Sequence, residues 1–219
     1  MMKEFTTNQK QLRVGFQRVI NESDDLNAIA NILRNAEKHP LSFAPWPGYT
    51  ASADVAFSIA YGDKNLYLQY VVKESIVRAA TGKINGPVYE DSCVEFFIRF
   101  DNDKAYYNFE FNCIGTVLAG FGPDRNNREL LSEHVLQNLR CHTVLQKENG
   151  AINWTLTVVL PFEAFAFHSL SSLHGKQGGA NFYKCGDALP QPHYLAWSNI
   201  ESESPNFHLP EFFGTLLFE

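Results

Sequence analysis

Tyr89-Glu90-Asp91-Ser92-Cys93-Val94-Glu95-Phe96-Phe97-Ile98-Arg99-Phe100 alternates along its length. Side chains on a strand switch face at every residue. Val94, Phe96, Ile98 and Phe100 therefore make one apolar face. Asp91, Cys93, Glu95, Phe97 and Arg99 make the other, with Tyr89 where the chain enters the strand. This reads as a strand with a dry core face and an open face that sets a carboxylate beside aromatic rings. Such a face suits a sugar, whose hydroxyls seek charged acceptors and whose apolar ring face seeks a flat partner.

The next stretch strengthens the reading. Asp101-Asn102-Asp103-Lys104 is a turn, and Tyr107, Phe109 and Phe111 then alternate with Tyr106, Asn108, Glu110 and Asn112. A symmetric hairpin places Glu110 opposite Glu95. Two facing carboxylates repel, so the pair needs a cation, a shared proton or nearby donors. A local conflict of this kind marks a candidate site.

Working outward, residues 54–61 and 65–73 read as strands around Gly62-Asp63-Lys64. Trp154, Leu156, Val158 and Leu160 mark another strand, ended by Pro161. Residues 180–185, 194–200 and 213–218 read as three more, and 11–20 holds a short one. Residues 126–140 read as a loop with a turn of helix. Leu26, Ile29, Ala30 and Leu33 recur at helical spacing, so 25–37 reads as an amphipathic helix. Ser23-Asp24-Asp25 caps its start and Pro40 stops it. Trp46, between Pro45 and Pro47, reads as a plug at the edge of the core. The pattern predicts an all-β fold: a two-sheet antiparallel β-sandwich, jelly-roll-like, with one peripheral N-terminal helix. Residues 1–39 read as an N-terminal strand and helix packed on a main domain of 40–219.

Composition narrows the function. Of 219 residues, 45% are apolar and 14% aromatic, with 18 Phe and 9 Tyr against 2 Met. That content builds a large core and favours strands. The net charge of −6, without a Lys/Arg cluster, argues against nucleic acid and anionic membranes as partners. No signal-peptide run follows Met1 and no stretch reaches bilayer length, which predicts a cytoplasmic protein. Cys93, Cys113, Cys141 and Cys185 match no paired metal spacing and read as reduced thiols. A metal site using Cys185 and His193 is a further reading of the same residues.

Five blocks in order resemble a known family: 89–98, Tyr-Tyr-Asn-Phe-Glu-Phe-Asn at 106–112, Asn-Phe-Tyr-Lys-Cys-Gly-Asp at 181–187, His-Tyr-Leu-Ala-Trp-Ser at 193–198, and Pro-Asn-Phe-His-Leu-Pro-Glu-Phe-Phe-Gly-Thr-Leu at 205–216. They look like the family 9 carbohydrate-binding modules, in particular the standalone "family 9-like" branch. The resemblance implies a β-sandwich related to the DOMON group. It implies binding of β-linked glycans of the xylan or glucan type, or their sugar ends, between two aromatic rings. It also implies association with glycan-degrading enzymes, an extracellular or periplasmic setting, and structural calcium whose ligands do not map onto this chain. By position, Tyr89 and Phe207 stand where the family has its two sandwiching Trp rings. Glu95 matches the family acid six residues after the first ring. Asn108 falls near a family Arg and Lys184 near a family Gln. Arg99, Glu110, Trp197 and His208 form a second tier of candidates, although Trp197 reads as core and His208 as a loop histidine on their own.

The residues thus predict a non-catalytic slot between Tyr89 and Phe207, with Glu95 accepting hydroxyl hydrogens and Asn108 and Lys184 donating. Loss of either ring is expected to abolish sugar binding and leave folding intact. Two other readings stay open at this point. One is a glycoside hydrolase using Glu95 and Glu110. The other is a sandwich repurposed for a protein or another small ligand.

Overall fold

A computed structural model describes residues 10–18, 25–49 and 53–219. Ser23 and Asp24 of the expected cap, the end of the 11–20 segment and the N-terminal nonapeptide lie outside the described residues.

Two sheets face each other. The larger has eight strands: β1 (Gln11–Val14), β5 (Cys93–Phe100), β6 (Tyr106–Asn112), β7 (Val117–Gly122), β8 (Glu129–Leu130), β11 (Gln177–Cys185), β12 (Leu195–Ala196) and β13 (Gly214–Phe218). Their order is β1-β13-β11-β5-β6-β7-β8, with β12 paired to β11. Only β1 and β13 run parallel. The smaller sheet has five strands, β2 (His39–Pro40), β3 (Asp54–Tyr61), β4 (Asn65–Glu74), β10 (Ala151–Pro161) and β9 (Arg140–Glu148), in that order. The expected two-sheet sandwich is therefore the observed one. β7 and β9 were not anticipated from the sequence. Val117–Gly122 carries two glycines, and the outer half of Arg140–Glu148 is polar and solvent-facing, so neither shows the alternation that marks a half-buried strand.

The core lies where the alternating faces meet. Val94, Phe96, Ile98 and Phe100 pack against Phe57, Tyr70, Trp154 and Leu156 from the other sheet. Phe57 stacks on Phe182 across the gap at 3.6 Å between ring centres.

Each sheet also has its outer face covered. On the smaller sheet sits α1 (Leu26–Asn35), capped by the Asp25 carboxylate, which accepts from Asn27 N at 2.9 Å. Its Ile29 and Leu33 cover Ala60, Tyr67 and Val159. Gln69, buried beneath it, donates to Ala30 O at 2.8 Å and to Thr157 Oγ1 at 3.0 Å.

The outer face of the larger sheet holds the one correction to the fold expected from sequence. It is not open. Cys93, Phe97, Tyr106, Leu118, Tyr183 and Cys185 build a second apolar cluster there, roofed by Trp46, Ile200, Phe207 and Phe213. The physical reason is compositional: this face carries too much apolar area to remain in water. Trp46 is a plug, as expected, with its indole N–H donating to Ser202 O at 3.1 Å.

Candidate functional site

The second cluster does not close everywhere. At one end of β5, β6 and β11 the roof leaves a cavity of about 240 Å³. Glu95 and Glu110 form its floor and are Cα partners across β5 and β6. Tyr89 reaches it from a single 3-10 turn, Val88–Glu90. That turn is anchored by Asp91, buried next to it, which accepts from Ala80 N at 2.9 Å and Thr81 N at 2.8 Å and pairs with Arg78. Burial works to raise the Asp91 carboxyl, but those donors and Asn112 together hold it below its usual range. Arg125 and Arg128 enter from the loop between β7 and β8, and Tyr194, Phe207 and His208 from the roof. Tyr194 donates its hydroxyl to Asp187 at the rim.

The floor is electrostatically unusual. Glu95 is only 4% exposed and Glu110 only 3%. Burial first, then the neighbouring Glu110 charge, pushes Glu95 well above the ordinary carboxylate range. Burial pushes Glu110 up to about 7, with Arg128 and the Asn108 amide acting against it. The pair thus holds a proton near neutrality and offers both an acceptor and a hydroxyl donor to a ligand. Asn108 donates to Glu110 Oε1 at 3.0 Å, and Arg128 stands 3.8 Å from the same oxygen. His208 is kept neutral: burial, then Arg128 and Arg125, lower it to about 3. Arg128 Nη1 stands 3.3 Å from its Nε2 and 3.4 Å from its Nδ1, and Nδ1 is hydrogen-bonded to the Tyr106 hydroxyl at 2.8 Å.

The raised Glu110 pKa fixes a sign. A carboxyl that titrates higher folded than unfolded contributes stability that is complete below about 4.5 and is lost as pH rises through about 7. Glu110→Gln removes this dependence. Relative to the variant, the parent is expected to lose on the order of 2 kcal/mol, about 4–8 °C in Tm, between pH 5 and pH 8. Paired thermal melts across that range check it; a constant difference refutes it. Comparing the two proteins cancels the opposing contribution of the buried histidines.

The family model for carbohydrate-binding family 9 matches residues 27–218. A proposed carbohydrate-binding protein from Bacteroides uniformis ATCC 8492 is 41% identical, with a TM-score of 0.89 over 96% of this chain and all of that one. The chain belongs to carbohydrate-binding family 9. A family 9 module from Caldicellulosiruptor kristjanssonii in complex with glucose shares the fold at 15% identity, with a TM-score of 0.63 over 96% of both chains. The same kind of module with cellotriose matches at 14% identity, with a TM-score of 0.62 over 96% of this chain and 94% of that one. No curated protein matches.

In this family 9 domain, Tyr89, Glu95, Glu110, Phe207 and His208 line this cavity together. Tyr89 is 37% exposed at its rim, whereas Phe207 is only 8% exposed. Phe207 already spends one face on Tyr183, stacked at 4.1 Å with planes 8° apart. Asn108 lies behind Glu110 and touches the cavity only through it.

Lys184 is corrected outright. Tyr183 is the Cα partner of Glu95, and cross-strand partners share a face. Lys184, one residue on, therefore points to the opposite side of β11, into the gap between the sheets. There it is fully buried, 3.1 Å from Glu74 Oε2 and donating to Cys185 O and His193. Arg99 lies four residues past Glu95, about 13 Å along the strand, and crosses Gly179, where a Cβ would come within 2.6 Å of its Nε. Trp197 is in the inter-sheet core, edge-on to Phe57 and Phe182.

Arg125, Arg128, Asp187 and Tyr194 were not anticipated. The arginines sit in a loop without periodicity, which carries no orientation signal. Asp187 and Cys185 fall inside the block at 181–187, and alternation along β11 would have chosen Cys185 over Lys184. Among the described residues, the close cluster of potential metal ligands is Cys93, Glu95 and Cys185. Its two thiols do not suit calcium, which takes six to eight oxygens.

Proposed function

We propose that the cavity binds one sugar unit of a β-linked glucan or xylan type, free or at a chain end. The carrying observation is that rings distant in sequence, Tyr89 and Phe207, line the same cavity as the buried, facing acids Glu95 and Glu110. The volume of about 240 Å³ falls below the roughly 300–1,000 Å³ of drug-sized sites and suits one ring rather than an oligosaccharide. Tyr89 covers a pyranose face at the rim. The open side of Phe207 and the edge of Tyr194 form the wall. The Glu95–Glu110 pair takes hydroxyls at the floor, and Arg125 and Arg128 donate. On this reading the protein serves polysaccharide breakdown as an accessory to glycan-degrading enzymes.

Both carboxyls rise from adjacent strands on a single wall. A hydrolase instead flanks the scissile bond with its two acids, so the arrangement favours holding over cutting.

Calorimetry against glucose, cellobiose and xylobiose tests the proposal. Binding is expected between millimolar and micromolar. Tyr89→Ala should weaken it about 5–30-fold, the 1–2 kcal/mol of one ring face, with Tm unchanged because the ring is half exposed. Absence of binding to all three sugars overturns the proposal. Hydrolysis that disappears in Glu95→Gln would replace it with the enzymatic reading.

A further inference from the structure

We propose that Cys93, Cys185 and Glu95 form a binding site for one thiophilic divalent cation, such as zinc, beneath the cavity floor. Cys93 and Cys185 are Cα partners across β5 and β11, so their thiols leave the sheet on the same side. Glu95 follows two residues after Cys93 on that face. The three ligand atoms all lie within 4.8 Å of one another. The Cys185 thiol donates to Glu95 Oε1 at 3.0 Å and is hydrogen-bonded to Cys93. Ligands on a tetrahedral zinc, with bonds of about 2.0–2.3 Å, stand roughly 3.5–4 Å apart. Small side-chain adjustments therefore suffice, with no movement of the strands.

The rest of the site fits the same chemistry. Glu95 and Cys185 both line the cavity, which gives an ion a route from solvent and leaves a fourth position for water or Glu110. Among the described residues no ion pair to these groups is formed: Arg128 pairs with Glu110, and Lys184 lies on the far side of β11. His193 is also on that far side, bonded to Lys184, so the Cys185–His193 site read from the sequence does not form. Burial holds Cys93 up at about 11 and Cys185 and Glu95 well above their ordinary values, so all three stay protonated without metal. An ion would displace the two thiol protons and the Glu95 carboxyl proton to solvent, forming two sulfur–metal bonds and one oxygen–metal bond. A Cys₂Glu set of this kind selects zinc or cadmium over calcium or magnesium.

The test uses the full-length protein, reduced and treated with chelator, then titrated with zinc and cadmium. One ion per chain is expected, with release of at least two protons read from the buffer dependence of the heat. Cadmium should produce a thiolate charge-transfer band. Cys93→Ser and Cys185→Ser should each weaken binding about 100-fold or more and abolish that band, while Cys113→Ser and Cys141→Ser leave both unchanged. X-ray absorption of the zinc-loaded parent needs no variant and should show two sulfur neighbours at about 2.3 Å. Absence of stoichiometric binding, a band that persists in both Cys93→Ser and Cys185→Ser, or a zinc shell with fewer than two sulfurs overturns the proposal. None of these readouts depends on whether the cavity binds sugar.

Discussion

Lys184→Ala is expected to lower stability by about 3–5 kcal/mol, a fall in Tm of roughly 6–20 °C, and to leave sugar affinity per folded molecule unchanged. Lys184 is completely buried between the sheets. Its ammonium lies 3.1 Å from Glu74 Oε2, close enough for an ion pair but off the hydrogen-bonding angle, so that oxygen has no donor of its own. The second carboxylate oxygen accepts from the Trp154 indole at 2.6 Å. Lys184 also donates to His193 Nε2 at 3.0 Å; burial first, then the Lys184 charge, lowers that histidine below its ordinary range, and its Nδ1 hydrogen turns toward Gln191 O. Removing the lysine strands a carboxylate in the core. Removing both charges does not, so Glu74→Gln with Lys184→Met should recover most of the loss. A lysine that gripped sugar would give the opposite result: a parental melt and lost binding. Denaturant unfolding combined with calorimetry separates the two.

Phe207→Ala has the second large effect, and it acts on fold and site together. The sequence led us to expect a ring that could be removed without harm. The structure places it under the roof of the second apolar cluster, stacked on Tyr183 and in contact with Trp46 and Tyr194. Truncation should cost about 3 kcal/mol, at the low end for a phenylalanine because its cavity-facing side is not packed. Sugar binding should be lost as well, but that loss alone would not show that the ring touches sugar. Phe207→Leu separates the two roles. It keeps most of the volume and should melt within about 1.5 kcal/mol of the parent, while losing the flat face. Affinity reduced at least fivefold in the leucine variant assigns the ring to the ligand; parental affinity assigns it to the roof alone.

Legibility differed from residue to residue. The hairpin register that sets Glu95 against Glu110 was readable because a four-residue turn joins two alternating strands, and the alternation admits few registers. Tyr89 and Phe207 could be named from short blocks, and the structure brings them to one cavity. Lys184 was misplaced by a single residue, which on a strand reverses the direction of the side chain. Arg125 and Arg128 were missed because loop residues have no period to orient them. The covering of the outer face was missed for a different reason. Phe97 shares its strand face with Glu95 and Arg99, and Tyr183 and Cys185 share theirs with Asn181 and Asp187, so only the return of residues 186–213 over the sheet makes them a core.

By itself the sequence determined the alternating strands, the sandwich and the facing acids, but not β7 or β9, because each of the former follows from alternation and turn chemistry within a few dozen residues. Only the tertiary structure decided which face of the larger sheet stays wet, which cations reach the acids, and that the lysine serves the core. The roof and the lysine depend on segments more than a hundred residues apart in the chain, Phe207 over Phe97 and Lys184 against Glu74, and the arginines on a loop without period; a local pattern carries no record of either.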